Sequence, residues 1–143
     1  MTGEDAVAEE LFQAALADGG GFSGSVHSFY AGFLLERGRE DEALALIDAA
    51  RKAKPDHAHV YAVIAETLDV HGHHRQAAAW ATRGLVFLFG SLTDIEPADL
   101  LEDGDGRLLA ADRLRARRHA GLPADHIDEV IAPGVDAHQR PEA

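Results

Sequence analysis

The stretches LERGREDEA (residues 35–43) and DVHGHHRQA (residues 69–77) decide the fold, because they align without a gap at an offset of 34 residues. Gly38 falls on Gly72 and Ala43 on Ala77. The correspondence continues outside the turn: Tyr30, Ala31 and Leu34 fall on Ile64, Ala65 and Leu68, while Ile47 and Ala50 fall on Ala81 and Gly84. A fixed period of this length predicts a repeated pair of helices. Glycine at 38 and 72 supplies the left-handed backbone that ends the first helix of each pair. Small residues at 31, 43, 50, 65, 77 and 84 let two antiparallel helices approach closely, and the larger ones fill the space between them.

Working outward, apolar residues recur at helical spacing over roughly 4–18, 25–37, 40–53, 57–71 and 74–89, bounded by glycine or proline. In the first of these, Val7, Ala8, Leu11, Phe12, Ala15 and Leu16 are expected on one side of the helix. No segment alternates with period two for long enough to predict a strand. The fold class is all-α.

The repeat resembles the tetratricopeptide family, whose signature is W-x2-L-G-x2-Y, then A-x3-F, then P in 34 residues. The first copy reads His27-x2-Tyr30-Ala31-x2-Leu34, Ala43-x3-Ile47, Pro55; the second reads Tyr61-x2-Ile64-Ala65-x2-Leu68, Ala77-x3-Ala81, with Phe89 where proline would fall. The matches are by size class more than by identity. The resemblance implies an α-α superhelix of helix pairs with capping helices, the repeats covering about 24–57 and 58–91. Each repeat buries its face only against neighbours, so both ends need covering. At the front, Ala8-x3-Phe12-x2-Ala15 copies the spacing Ala43-x3-Ile47-x2-Ala50, which makes residues 4–18 a capping helix or the remnant of a preceding repeat. At the back, LVFLF (85–89) is apolar around the whole helix, which marks a helix covered on more than one side. The expected cover is C-terminal capping helices over about 107–132, or a second copy of the chain. Residues 91–106 read as an acidic loop, residues 1–132 as a single domain and 133–143 as a disordered tail. AEELFQAALADGG (8–20), FLLERGREDEALALID (33–48) and RLRARRHAGLPADHID (113–128) also resemble small bacterial tetratricopeptide proteins, some of which carry a cysteine-rich zinc motif of the SEC-C type. This chain has no cysteine, so that motif is absent and its zinc binding is not carried over.

Composition narrows the function classes. The 143 residues carry a formal charge of −12, which argues against nonspecific binding to nucleic acid or anionic membranes. Residues 1–106 hold 7 Lys and Arg against 19 Asp and Glu, whereas 107–143 hold 6 against 6. The acidic start MTGEDAVAEE lacks the basic and apolar segments of a signal peptide, and no apolar run approaches the ~20 residues that span a bilayer. A cytoplasmic protein is the default expectation. Zero cysteine excludes disulfides, thiolate catalysis and cysteine-based zinc sites. Eleven Arg against two Lys, with abundant Ala, Gly and Asp, is the usage of a GC-rich bacterial genome.

Four motifs invite chemistry, and each has a plainer reading. His71, His73 and His74 align with Arg37, Arg39 and Glu40, in an ordinary solvated turn between paired helices. Gly72 breaks the helix between them, and His57 and His59 lie at the far end of the same helix, about 18 Å away at 1.5 Å per residue. A surface turn is therefore expected and no metal ligand is assigned. GGGFSG (19–24) satisfies G-x-G-x-x-G but follows a helix where the dinucleotide fingerprint needs a strand, so it reads as a linker; the neighbouring GFSGS likewise lacks the strand of a nucleophile elbow. DGDG (103–106) would place Arg107 and Leu114 where a calcium loop needs oxygen ligands. Arg113, Arg115, Arg117 and Arg118 are expected to pair with the chain's own carboxylates.

No constellation of nucleophile, base and orienting group appears, so neither an enzyme nor a cofactor is expected. The resemblance implies a protein-interaction module whose concave groove is lined by the first helix of each pair: Ser25, Ser28, Gly32, Leu35 and Glu36, then His59, Ala62, Glu66, Asp69 and Val70. The Lys and Asn set that grips a peptide carboxylate in chaperone-binding members is missing. Glu36, Glu66 and Asp69 instead favour a protein or peptide partner with basic character and small apolar side chains. Two alternatives stand beside this reading. One is a homodimer joined through Phe87 and Phe89, its groove filled by a terminal helix; the other is a histidine-based metal-responsive protein.

Overall fold

Each sequence-predicted helix pair closes through its glycine. In the computed structural model, which describes residues 2–18 and 25–139, Gly38 and Gly72 have φ of 74° and 87°. The same two backbone bonds lock each turn. Gly38 N donates to Leu35 O and Arg39 N to Leu34 O; Gly72 N donates to Asp69 O and His73 N to Leu68 O. These bonds satisfy carbonyls that the helix end would otherwise leave unpaired. Eight helices and no strand are found among the described residues: α1 (Gly3–Ala17), α2 (Ser25–Glu36), α3 (Glu40–Ala53), α4 (Ala58–Val70), α5 (His74–Phe89), α6 (Pro97–Glu102), α7 (Gly104–His119) and α8 (His126–Gln139). The all-α reading holds. The GGGFSG segment, where the sequence predicts a linker, lies outside the described residues, as do residues 140–143. The chain divides into two compact units, residues 1–60 and 61–143.

In the first unit α2 and α3 form the repeat hairpin. Ala31, Ala43 and Ala50 are completely buried, as the small-residue pattern predicts, with Leu34 and Ile47 packed into the core. The N-terminal helix α1 is held by both apolar and ionic contacts. Phe12 stacks on Tyr30 at 5.2 Å between ring centroids and meets Phe33 at 5.6 Å. Glu9 accepts hydrogen bonds from both terminal nitrogens of Arg39, at 2.6 and 2.8 Å, and from the Tyr30 hydroxyl at 2.8 Å. The Arg39 bonds, helped by the Tyr30 hydroxyl, pull the Glu9 carboxyl down to about 2. Arg37 adds an ion pair to Asp5 at 2.6 Å and lies over the Phe33 ring. These contacts set the rotation of α1 and correct one expectation. With Glu9 buried, Val7 and Leu11 lie roughly 200° round the helix from it, and they are exposed at 57% and 66%.

In the second unit, the C-terminal ten residues of α4 pack on α5 through Tyr61 and Trp80, with ring centroids 5.8 Å apart. Ala65, Ala77 and Ala81 are buried. Gly84 is the tightest point: a Cβ added there would stand 2.9 Å from the Tyr61 Cβ and 2.8 Å from a Leu109 methyl. The glycine thus permits α4 and α7 to touch α5 at one level. LVFLF is covered from one side by α7, since Leu85 and Leu109 are fully buried and Phe89 reaches Gly106.

The C-terminal segments differ from the sequence expectation in three places. Residues 91–106 are not all loop, because Pro97 opens the short α6, whose Leu100 is fully buried. Asp103 then caps α7, its carboxylate accepting from Gly106 N at 2.8 Å, so DGDG serves as a helix start. The tail expected to be disordered from Pro133 is helical as far as Gln139. Ile127, Ile131 and Val135, spaced by four, are all buried, and this anchoring outweighs the backbone bond that Pro133 cannot make.

The turn between α7 and α8 repeats the earlier ones. Gly121 has φ of 72°, Gly121 N donates to Arg118 O, and Leu122 N donates to Arg117 O. The segments read as caps are therefore a third glycine-closed hairpin. Its helices are joined by charge. Arg113, 4% exposed at its side chain, donates to Asp125 at 2.6 and 3.0 Å, to Asp128 at 3.2 Å and to the Thr82 hydroxyl of α5 at 2.8 Å. Arg117 donates to Asp128 at 2.7 Å, and Arg118 pairs with Asp136 at 2.8 Å. Burial pushes the Asp125 carboxyl up, but the Arg113 bonds, the Asp128 N–H and the charges of Arg113 and Arg117 bring it well below the usual carboxylate range.

Gly84→Ala gains ~1 kcal/mol of helix propensity yet must push apart Tyr61 and Leu109, an overpacking cost of ~1–3 kcal/mol. We expect a net loss of stability, read as a lower urea midpoint. A midpoint that rises would show that the three helices are not in close contact at this glycine.

Candidate functional site

The groove positions inferred from sequence fall into three classes of exposure. In the first unit Ser28 and Leu35 are buried, Ser25 and Gly32 are half-buried, and Glu36 and His59 are exposed. The Ser28 hydroxyl is used inside its own helix, donating to Ser25 O at 2.7 Å. In the second unit Ala62 is only 4% exposed, Asp69 is half-buried, and Glu66 and Val70 are exposed. Ser28, Leu35 and Ala62 therefore present almost no side-chain surface. Their burial follows from helix rotation, which a spacing rule places only to within a residue or so. Phe87 and Phe89 also part company: Phe87 is 44% exposed and stacks on Tyr61 at 5.5 Å, whereas Phe89 turns towards Gly106 and is half-buried.

Within the second unit, α4 and α7 bring several polar groups together. Asp69, in the last turn of α4, accepts from His74 Nδ1 at 2.6 Å. His119, the last residue of α7, places its Nδ1 3.1 Å from both Asp69 oxygens. The two imidazole rings lie 4.8 Å apart at 51°. Sequence spacing places His74 in a turn and gives no link to His119, which is 50 positions from Asp69. His71 and His73 stay out of this cluster: His71 Nδ1 bonds the Thr67 carbonyl at 2.9 Å, and His73 borders a shallow cavity of about 330 Å³ with Gly72, His74, Arg75, Gln76 and Ala120.

About two turns back along α7 from His119, Asp112 is buried and its Oδ1 accepts a short hydrogen bond from Arg115, while its Oδ2 has no partner. Burial raises the Asp112 carboxyl to about 6; the charge of Arg115 opposes the shift, and those of Glu66 and Asp69 add to it. The arginine cluster thus pairs with the chain's own carboxylates: Arg113 and Arg117 with Asp125 and Asp128, Arg115 with Asp112, Arg118 with Asp136. The α4–α7 face combines exposed Glu66 and Val70 with a carboxylate–imidazole cluster. It can attract cations or basic side chains, and it contains no nucleophile aligned with a base.

A family model described as tetratricopeptide repeat matches residues 6–67. No curated protein and no solved structure matches the chain significantly. No helix among the described residues is long and apolar enough to cross a membrane.

The Asp112 shift has a signed consequence for stability. In the unfolded chain this carboxyl ionises near its ordinary value, and in the fold only near 6. Between those values the folded state keeps a proton that the unfolded state has released, so stability falls as pH rises through the window and stays lowered above it. Asp112→Asn removes that burden. We expect it to raise stability at pH 7.5 by ~1–2 kcal/mol, the ~3 kcal/mol of the full shift being reduced by solvent screening, with little change near pH 4. Denaturant titrations at the two pH values test this, and equal destabilisation at both would contradict it.

Proposed function

With a tetratricopeptide repeat over residues 6–67, a module built for protein–protein interaction, we propose that this chain is a non-catalytic adaptor that binds a basic protein or peptide segment, and that the α4–α7 face of its second unit contributes to that binding. The observation that carries the reading is the exposure of Glu66 and Val70 beside Asp69, three residues at i, i+4 and i+3 on one face of α4. An acidic side chain flanking an apolar one suits a segment that alternates Lys or Arg with small apolar residues. Glu66 and Asp69 both add to the raised Asp112 carboxyl, opposed by Arg115, which is in keeping with acidic groups gathered on this face.

Because Ala62 is buried, Ala62→Arg would damage the fold and so is a poor probe of the face. Glu66→Lys and Val70→Lys change exposed side chains only. We expect a fluorescent peptide of alternating Lys and Ala or Leu to bind with an affinity that falls as salt rises. Glu66→Lys should weaken it ~2–5-fold, the scale of one exposed ion pair, and the double variant Glu66→Lys/Val70→Lys should weaken it further. Equal binding of a peptide with Glu in place of Lys, or no binding of either, would count against the proposal.

The exposed Phe87, with Val86 exposed next to it, favours a second reading as a homodimer through α5. Light scattering behind gel filtration across a concentration series checks it. A dimer that Phe87→Asp turns into a monomer is the expected result on this reading, and a monomer at every concentration excludes it.

A further inference from the structure

We propose that Asp69, His74 and His119 form a binding site for a first-row divalent transition metal, with Zn²⁺ as the best-suited ion. The three residues come from three helices, and one potential ligand atom of each lies within 4.8 Å of the other two. Two of these separations, 2.6 and 3.1 Å, are shorter than the ~3.3 Å expected between donors of a tetrahedral zinc site with bonds of ~2.0–2.1 Å, so an entering ion needs the side chains to part by less than about 1 Å. Both imidazoles aim Nδ1 at the same carboxylate. Without an ion, each Nδ1–H donates to Asp69. With one, the ring proton moves to Nε2 and the Nδ1 lone pair turns to the metal, while Asp69 supplies an anionic oxygen.

The surroundings suit a cation held by nitrogen. Asp69 and His119 sit in the last turns of α4 and α7, where unpaired carbonyls concentrate negative charge. Glu66 and Asp112 add acidic groups nearby, partly offset by Arg115 on Asp112 and by Arg75 at the rim of the neighbouring cavity. That cavity borders His74. Two imidazoles and one carboxylate favour Zn²⁺, Ni²⁺ or Cu²⁺ over Mg²⁺ or Ca²⁺, which prefer all-oxygen sites. His71 is directed elsewhere, to the Thr67 carbonyl, so it serves as a neighbouring control. The site does not depend on peptide binding, although it shares Asp69 with the proposed face.

The test uses the full chain without an affinity tag, stripped with a chelator and titrated with Zn²⁺ by calorimetry, with Mg²⁺ as the comparison ion. We expect one zinc per chain, no magnesium binding and a zinc-dependent rise in melting temperature. His119→Ala should weaken zinc at least ~10–100-fold, since even loss of an outer partner of a metal site has that effect, and should abolish the thermal shift. At 54% side-chain exposure His119 is not needed for folding, and circular dichroism of the variant verifies that. His71→Ala should bind as the parent does. Absence of zinc binding overturns the proposal, and so does binding that survives His119→Ala or disappears with His71→Ala, which would mark an adventitious ion on other histidines.

Discussion

The fold rests on how closely α5 can be approached. At Gly84 there is no room even for a methyl group between Tyr61 of α4 and Leu109 of α7, so three helices meet where most residues would hold them apart. Dispersion and apolar burial both depend on that distance, because a gap of a fraction of an ångström already forfeits much of the contact energy. The alanines at 31, 43 and 50 do the same for α2 and α3 in the first unit, and those at 65, 77 and 81 line the core of the second. Large side chains such as Leu34, Leu68 and Leu85 then fill the remaining space and are almost wholly buried. Small residues set the geometry and large ones stabilise it.

The third hairpin solves the same problem by other means. Arg113 is buried against Asp128, Asp125 and Thr82, and thereby joins α5, α7 and α8. Burying charge is costly unless every group is paired, and a buried ion pair is no guarantee of added stability. Here Asp128 accepts from Arg113, Arg117 and the Asp125 backbone, so its two oxygens are well supplied. The network is specific in direction and length, which defines how α8 seats on α7. Ile127, Ile131 and Val135 contribute the apolar part of the same contact.

The polar face of the second unit contrasts with that network. Asp112 keeps one oxygen without a partner, and its carboxyl is raised by burial. Asp69 is shared between two imidazoles that come from different helices. Well-paired charges in the α7–α8 hairpin thus lie in the same unit as a less compensated acidic cluster beside α4. Structural charge is paired within the fold, whereas the proposed cation site lies in the cluster at the helix ends.

The helices, their glycine-closed turns and the small residues of the two repeats were legible in the sequence because each depends on spacing along one helix or across one turn. Gly38 and Gly72 at equal places in the period, and the recurrence of Ala or Gly at 43, 50, 77 and 84, were sufficient for that. Helices over about 107–132 were expected as caps, but their closure as a third hairpin was hidden because ion pairs between distant residues hold it, and helix over Pro133 was hidden because burial of Ile131 and Val135 overrides a local breaker. Of the groove positions that the resemblance implied, Glu36, His59, Glu66 and Val70 are exposed and Ser25, Gly32 and Asp69 half-buried, but no alignment of periods could show that Ser28, Leu35 and Ala62 are buried. Only the tertiary structure decided how each helix is rotated about its axis and which distant residues meet. His119 reaches Asp69 across 50 positions because α4, α5 and α7 pack together, a contact set by three-dimensional fit and invisible to any local period.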